Sequence, residues 1–273
     1  MVHVSDPHLF GPDTSWREVL DRRLIGYIRW KLLRQRKHDY RLLESLAEEL
    51  RTDPPDHIIV TGDLTHLGLP SEFQRAREWL ESLGPPSKVS VVPGNHDAYR
   101  WGSWEETFAL WQPYFQGEEG PWGVLLTDHF PLVRHLGDLA LIGLSTACPN
   151  FPPLAVGRLG KAQLLRFREI LRRNRTHFRL VFLHHPPLPG IVSKRKALLD
   201  LDLLLAVLRE EGCELLLFGH SHRVHQLALG SIPALGASSI TCALSDPPQK
   251  QAAYFRLSFE EGRLKKVEKR VLS

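Results

Sequence analysis

Five short segments of this chain close an apolar run with residue types that bind cations. Val2-His3-Val4 leads into Asp6 and His8, His57-Ile58-Ile59-Val60-Thr61 into Gly62-Asp63, and Val89 to Val92 into Gly94-Asn95-His96-Asp97. Further on, Phe178 to Leu183 precedes His184-His185-Pro186-Pro187, and Glu214 to Phe218 precedes Gly219-His220-Ser221-His222. Together they offer carboxylate and amide oxygens and imidazole nitrogens, a donor set suited to Mn, Fe or Zn. No cysteine accompanies them, which argues against a thiolate zinc site or an iron–sulfur cluster. Singly, each segment has a plain structural reading: His8 as a polar turn residue, His184 as a structural histidine before two prolines, Gly62-Asp63 as an ordinary turn. The weight lies in the repetition of one arrangement five times.

Residues of this kind need rigid supports, and the carboxyl ends of sheet strands provide them, because loops converge there while the strands hold them fixed. The apolar runs above read as such strands. Between and after them, helical periodicity predicts helices over Leu24 to Leu46, Ser71 to Leu83 with Ser71 as N-cap, Lys161 to Arg173 and Leu198 to Arg209. Further strands are expected at Val124 to Leu126, Leu132 to His135 and Leu139 to Leu144. From Val224 the chain reads as consecutive strands, closing with a hairpin of Ala252 to Ser258 and Arg263 to Val271. Helices alternating with buried strands predict a layered α/β fold. No repeat or linker divides the chain, so residues 1–273 are expected to form one domain carrying a basic amphipathic insert at about 17–41.

Composition narrows the class. With 273 residues, 42% apolar and 24% charged, the chain can bury a substantial core and is neither disordered nor fibrous. No stretch approaches the roughly 18 apolar residues of a spanning helix, and the N-terminus lacks a signal-peptide layout. A cytoplasmic location is expected, with peripheral contact at the inner membrane face left open. Cys148, Cys213 and Cys242 are widely spaced among apolar or small residues and read as buried free thiols.

The ordered blocks Asp6-x-His8, Gly62-Asp63, Gly94-Asn95-His96-Asp97, His184 and Gly219-His220-x-His222 resemble the calcineurin-like metallophosphoesterase superfamily across roughly residues 2–222. The look is nearest to its bacterial cyclic-nucleotide and glycerophosphodiester phosphodiesterase branch. The resemblance implies a four-layer αββα sandwich, two mixed sheets flanked by helices, and two metal ions per chain, Mn or Fe with Zn as an option. It assigns Asp6, His8 and His222 to one metal, Asn95, His184 and His220 to the other, and Asp63 to both. His96 becomes the catalytic histidine at the phosphate and Asp97 its orienting partner, while His185 is left to packing or to support of the ligands from behind. The implied reaction is hydrolysis of a small or nucleotide phosphodiester by metal-activated hydroxide.

The chain's individual feature is its charge distribution. Between Arg17 and Arg41 nine bases face three acids, on a stretch that also carries Leu24, Ile28 and Leu32. Arg34, Arg36 and Lys37 are candidates for a substrate or membrane rim, through attraction to an anionic surface, against a plain reading in which the bases are solvated. A UDP-sugar lipid pyrophosphohydrolase and a non-catalytic metal-binding scaffold for a membrane or protein partner are the competing functions. Nucleic acid is disfavoured, since no separate binding module accompanies the basic residues.

Overall fold

The computed structural model describes residues 1–10, 38–98, 103–118, 126–150, 153–243 and 247–273. Among these, two mixed sheets form the centre. The first has the order β11-β10-β1-β2-β3, built from β1 (Val2–Val4), β2 (Ile58–Val60), β3 (Val89–Val91), β10 (Ala253–Glu260) and β11 (Arg263–Val271). The second has the order β4-β5-β6-β7-β9-β8, built from β4 (Leu132–Leu136), β5 (Leu139–Leu144), β6 (Phe178–Leu183), β7 (Leu215–Phe218), β8 (His225–Leu229) and β9 (Ile232–Gly236). β1, β2 and β3 run parallel, as do β5, β6, β7 and β9; antiparallel neighbours complete both sheets.

The strand period of two explains the layers. Leu141, Leu180, Phe182, Leu215, Leu217 and Leu235 of the second sheet lie in one buried cluster with the first sheet, in which Ile59 and Phe255 share a face with His3 while Val2, Val4 and Val91 take the opposite face. The second sheet's alternates, Ile142, Leu144, Val181, Leu183, Leu216 and Phe218, pack instead with Phe167 and Leu171 of the helix Lys161–Arg173 and with Leu204 and Leu208 of the helix Leu201–Glu211. The first sheet is covered by Leu46 and Leu50 of the helix Arg41–Thr52 and by Phe73, Ala76 and Leu80 of the helix Pro70–Leu83. With both faces buried, these strands are near-continuous apolar runs rather than alternating ones. The result is two mixed sheets flanked by helices, as expected.

Several boundaries differ from expectation. The helix expected from Ser71 begins at Pro70, with Leu69 at the N-cap position. Pro70 fits the first turn because it has no N–H to satisfy there, and the buried Glu72 carboxylate takes the backbone N–H groups of His66, Leu67 and Leu69 at 3.2, 2.8 and 3.1 Å. The helix expected from Leu198 begins at Leu201, because Leu198 pairs with Gly157 and Asp200 turns its carboxylate to the N–H of Gly160 at 2.7 Å. Of the helix expected over Leu24 to Leu46, residues 24–37 lie outside the described residues, and the described part is helical from Arg41. Residues 124–125 of an expected strand also lie outside; Leu126 opens a 3₁₀ turn, Leu126–His129. No helix among the described residues is long and apolar enough to cross a membrane.

Candidate metal centre

All five segments singled out in the sequence leave the carboxyl ends of parallel strands, β1, β2 and β3 in one sheet and β6 and β7 in the other. Their loops cross from sheet to sheet. Asp6 N–H bonds to the Gly62 carbonyl at 3.1 Å and His8 N–H to the Asp63 carbonyl at 3.0 Å within the first sheet's side. Across the gap, the His184 ring bonds to the Thr61 carbonyl at 2.7 Å and His220 N–H to the Asp6 carboxylate at 3.0 Å.

The backbone there is held in an uncommon state. Asp6, His8, Asp63, His220 and His222 all have positive φ, between 45° and 65°, and Glu261 is the one other non-glycine residue so held among those described. The left-handed region costs a non-glycine residue roughly 1 kcal/mol or more. Five such residues in one place signal a geometry imposed by the surroundings for the sake of side-chain direction. Two glycines let the loops close: a Cβ on Gly94 would stand 2.2 Å from Asp63 Oδ1, and one on Gly219 would stand 1.9 Å from Ser5 Oγ.

The side chains form two groups. Asp6, His8, Asp63 and His222 offer ligand atoms all within 4.8 Å of one another, and so do Asp63, His184 and His220. In the first, His8 Nε2 and His222 Nε2 are 3.0 Å apart, with Asp6 Oδ1 at 3.6 and 3.2 Å respectively. In the second, His184 Nε2 is 3.3 Å from Asp63 Oδ2 and 3.2 Å from His220 Nδ1. These separations approach the roughly 3.3 Å expected between ligands on one small tetrahedral cation with 2.0–2.1 Å bonds. Asp63 belongs to both groups.

The ring orientations fit a cation in each. His184 gives its Nδ1–H to the Thr61 carbonyl, His220 its Nε2–H to the Lys196 carbonyl at 3.0 Å, and His8 its Nδ1–H to the Thr65 carbonyl at 3.4 Å. A ring nitrogen engaged by a carbonyl fixes the tautomer, so the opposite nitrogen of each neutral ring presents a lone pair inward. Asn95 Oδ1 is a buried oxygen with no hydrogen-bond partner, which is costly unless a cation takes it, and Asp6 Oδ1 has only the rings of His222 and His8 beside it. The oxygen and nitrogen donors therefore fit a divalent metal.

Electrostatics agree. Burial opposes charge on Asp6 and Asp63, but the surrounding histidines, His222 first for Asp6 and His184 first for Asp63, hold both well below the usual carboxylate range. Burial also opposes a proton on His184, yet Asp63 and Asp6 push it up to about 9, so without a cation its inward nitrogen holds a proton, which a bound cation would replace. His220 is held well below the ordinary value by burial and by its neighbours His185 and His184.

His96 stands beside the first group. Its N–H bonds to Asp63 Oδ1 at 2.8 Å, its Nδ1 to the His66 carbonyl at 2.6 Å, and its ring centroid is 4.9 Å from that of His8. Asp97 does not orient this ring, contrary to expectation. The buried Asp97 carboxylate accepts from Gly94 N–H at 2.8 Å and from Thr65 N–H and hydroxyl at 2.8 and 2.9 Å, so it ties the β2 and β3 loops together while a carbonyl takes the imidazole. Burial, with Asp63 nearby, pushes Asp97 up to about 6. His185 packs as expected: its Nδ1 meets the Thr146 hydroxyl at 2.8 Å, and burial lowers it to about 3.

Sequence reasoning missed Ser5 and His66. Ser5 donates to Asp6 Oδ2 at 2.6 Å, and His66 lies against His8 and His96. Adjacency to Asp6 and to the Gly62-Asp63 block was the available signal for each. Arg34, Arg36 and Lys37 lie outside the described residues. The end of their segment that is described abuts the site: His38 is 5.5 Å from His8 between ring centroids, and the Tyr40 hydroxyl donates to the His8 carbonyl at 3.0 Å.

The family model of calcineurin-like phosphoesterases matches residues 1–224, a span that includes every residue of both groups. The chain belongs to that family. This phosphoesterase is 29% identical over 254 residues to a cAMP/cGMP dual specificity phosphodiesterase of Mycobacterium tuberculosis, covering 90% of this chain and 68% of the relative. It is 30% identical over 251 residues to a probable cyclic nucleotide phosphodiesterase of Rhodococcus erythropolis, covering 90% and 72%. Its fold is that of a dimetal phosphatase from Danio rerio, with TM-score 0.66, 16% identity and coverage of 100% and 98%. The phosphoesterase is thus a metal-dependent phosphoester hydrolase.

Proposed function

We propose that the chain hydrolyses phosphodiesters, small or nucleotide diesters being its substrates, at a pair of divalent cations. The observation that carries this reading is the double membership of Asp63. Its Oδ2 lies 3.3 Å from His184 Nε2 and 3.9 Å from His8 Nε2, so one oxygen serves both groups of ligands. In this reading Asp6, His8 and His222 hold one cation, Asn95, His184 and His220 the other, with Asp63 between them; Mn or Fe suits the donors, and Zn is an alternative. A bound pair would supply Lewis acidity toward the phosphoryl oxygens and would lower the pKa of a water held there.

The chain's own residues supply the rest. Asp63 would offset the repulsion between two cations held there. His96, held through Nδ1 on the His66 carbonyl, directs Nε2 outward from that bond and, as imidazolium, donates to a phosphoryl oxygen or the leaving alkoxide. Asp97 acts at one remove, holding the loops that carry Asp63 and Asn95. The names of the two bacterial relatives favour a diester over a monoester.

A metal-reconstituted panel tests this: bis-4-nitrophenyl phosphate, 4-nitrophenyl phosphate, cyclic nucleotides, glycerophosphodiesters and UDP-diacylglucosamine. Selective diester turnover at two metals per chain is expected. Exclusive monoester or pyrophosphate turnover, or none at full occupancy, overturns the reading.

A further inference from the structure

His66 has no place in either ligand group, yet it faces the same space. Its ring stacks on that of His96, with centroids 5.3 Å apart and planes at 28°, and meets His8 edge-on at 5.7 Å and 75°. One ligand-capable atom from each of His8, His66 and His96 lies within 4.8 Å of the others. Phe10 meets the His66 ring edge-on at 6.0 Å, and His66 is 3% exposed. Its backbone is fixed from both ends, with N–H on Glu72 Oε2 at 3.2 Å and the carbonyl on His96 Nδ1 at 2.6 Å.

These three histidines do not make a third cation site. His8 Nε2 already stands between Asp6 and His222, with Nδ1 on the Thr65 carbonyl. His96 has Nδ1 engaged by a carbonyl. What remains is a stacked pair of imidazoles, His66 and His96, beside His8 of the first group. A phosphoryl group held between the first group's cation and His96 would approach the ring that stacks on His96. An imidazole suits that place, since a carboxylate there would repel the substrate's negative charge while a neutral ring can donate to it.

We propose that His66 is a substrate-binding residue, donating its ring N–H to a nonbridging phosphoryl oxygen alongside His96. This rests on the phosphodiesterase reading above. The test uses the full metal-reconstituted chain with His66→Ala and His66→Asn, the latter keeping an N–H donor. Three quantities are read: kcat/KM on bis-4-nitrophenyl phosphate, metal content, and calorimetric affinity for inorganic phosphate.

The expected result is a roughly ten- to hundredfold fall of kcat/KM in His66→Ala, the range for a hydrogen bond to a charged group. Phosphate affinity should weaken by a similar factor, with two metals retained and partial recovery in His66→Asn. Because the His66 carbonyl survives both substitutions, a fall cannot arise from losing the His96 anchor. Unchanged kcat/KM and phosphate affinity in His66→Ala would overturn the proposal, as would loss of one metal, which would make His66 a ligand. Absence of diester turnover by the unsubstituted chain would count against the phosphodiesterase reading alone, since phosphate affinity still decides the contact.

Discussion

His184 and His220 bring ring nitrogens to 3.2 Å of each other while each gives its second nitrogen to a backbone carbonyl, Thr61 for one and Lys196 for the other. The two carbonyls belong to different parts of the chain, one after β2 and one in the loop between β6 and β7. A cation that joins the rings therefore also joins these segments to each other. Removing metal with a chelator is expected to lower the melting temperature, and adding Mn or Zn to restore it in a concentration-dependent way. Thermal melts across a metal titration check this; a melting temperature indifferent to metal would count against it.

Asp63→Asn keeps the shape of the side chain and removes the charge shared by both groups. Metal content should fall below two per chain and kcat/KM by about 10²-fold or more. Elemental analysis beside kinetics separates the two effects. Retention of two metals with wild-type turnover would remove Asp63 from its central role.

His96→Ala should leave metal content unchanged, because His96 lies outside both ligand groups apart from its N–H on Asp63. A kcat lowered by about 10²- to 10⁴-fold is the range for a general acid. An effect confined to KM would mark the ring as a binding group only.

Much of this centre was legible in the sequence, and for a physical reason. Asp6, His8, Asp63, His184, His220 and His222 follow strands too apolar to be anything but buried, and only convergence gives so many polar endings a use. The flanks were harder to read. The family resemblance assigns Asp97 to His96, yet its carboxylate reaches Thr65, 32 positions away, a contact set by the pairing of β2 with β3. Ser71 reads as a helix cap, but the helix begins one residue earlier, at Pro70, and Glu72 in its first turn reaches back to the Leu69 N–H. His66 carried no signal beyond following Asp63 by three residues, and its place beside His96 depends on that loop.

Gly219→Ala tests how closely the loops must approach. The added Cβ would stand 1.9 Å from Ser5 Oγ and 2.7 Å from Asp6 Oδ2, so β1 and β7 must part or Asp6 must turn. Overpacking of this kind costs about 1–3 kcal/mol, read by denaturant unfolding of the metal-free chain. Metal affinity should fall with it. Unchanged stability would show that the two loops can move apart freely.

Glu72 gives a pH dependence of known sign. Burial outweighs its backbone donors and pushes it up to about 7 from 4.5, so the folded state holds the proton more tightly than the unfolded chain. Its contribution to stability is complete below pH 4.5 and is lost as pH rises through 7, by about 3 kcal/mol in the limit. Glu72→Gln cannot ionise. The melting temperature of Glu72→Gln minus that of the wild type should therefore climb between pH 5 and pH 8. A flat difference would show that the carboxylate is ionised throughout.

The left-handed backbone at Asp6, His8, Asp63, His220 and His222 bears on how such a protein can decay. Asparagine, aspartate, histidine and glycine tolerate that conformation, and β-branched residues do not. A descendant that stopped hydrolysing anything would be released from the chemistry but still bound by the main chain. Its five positions should drift towards asparagine or glycine and avoid valine and isoleucine, leaving the outline of the centre in an inert protein.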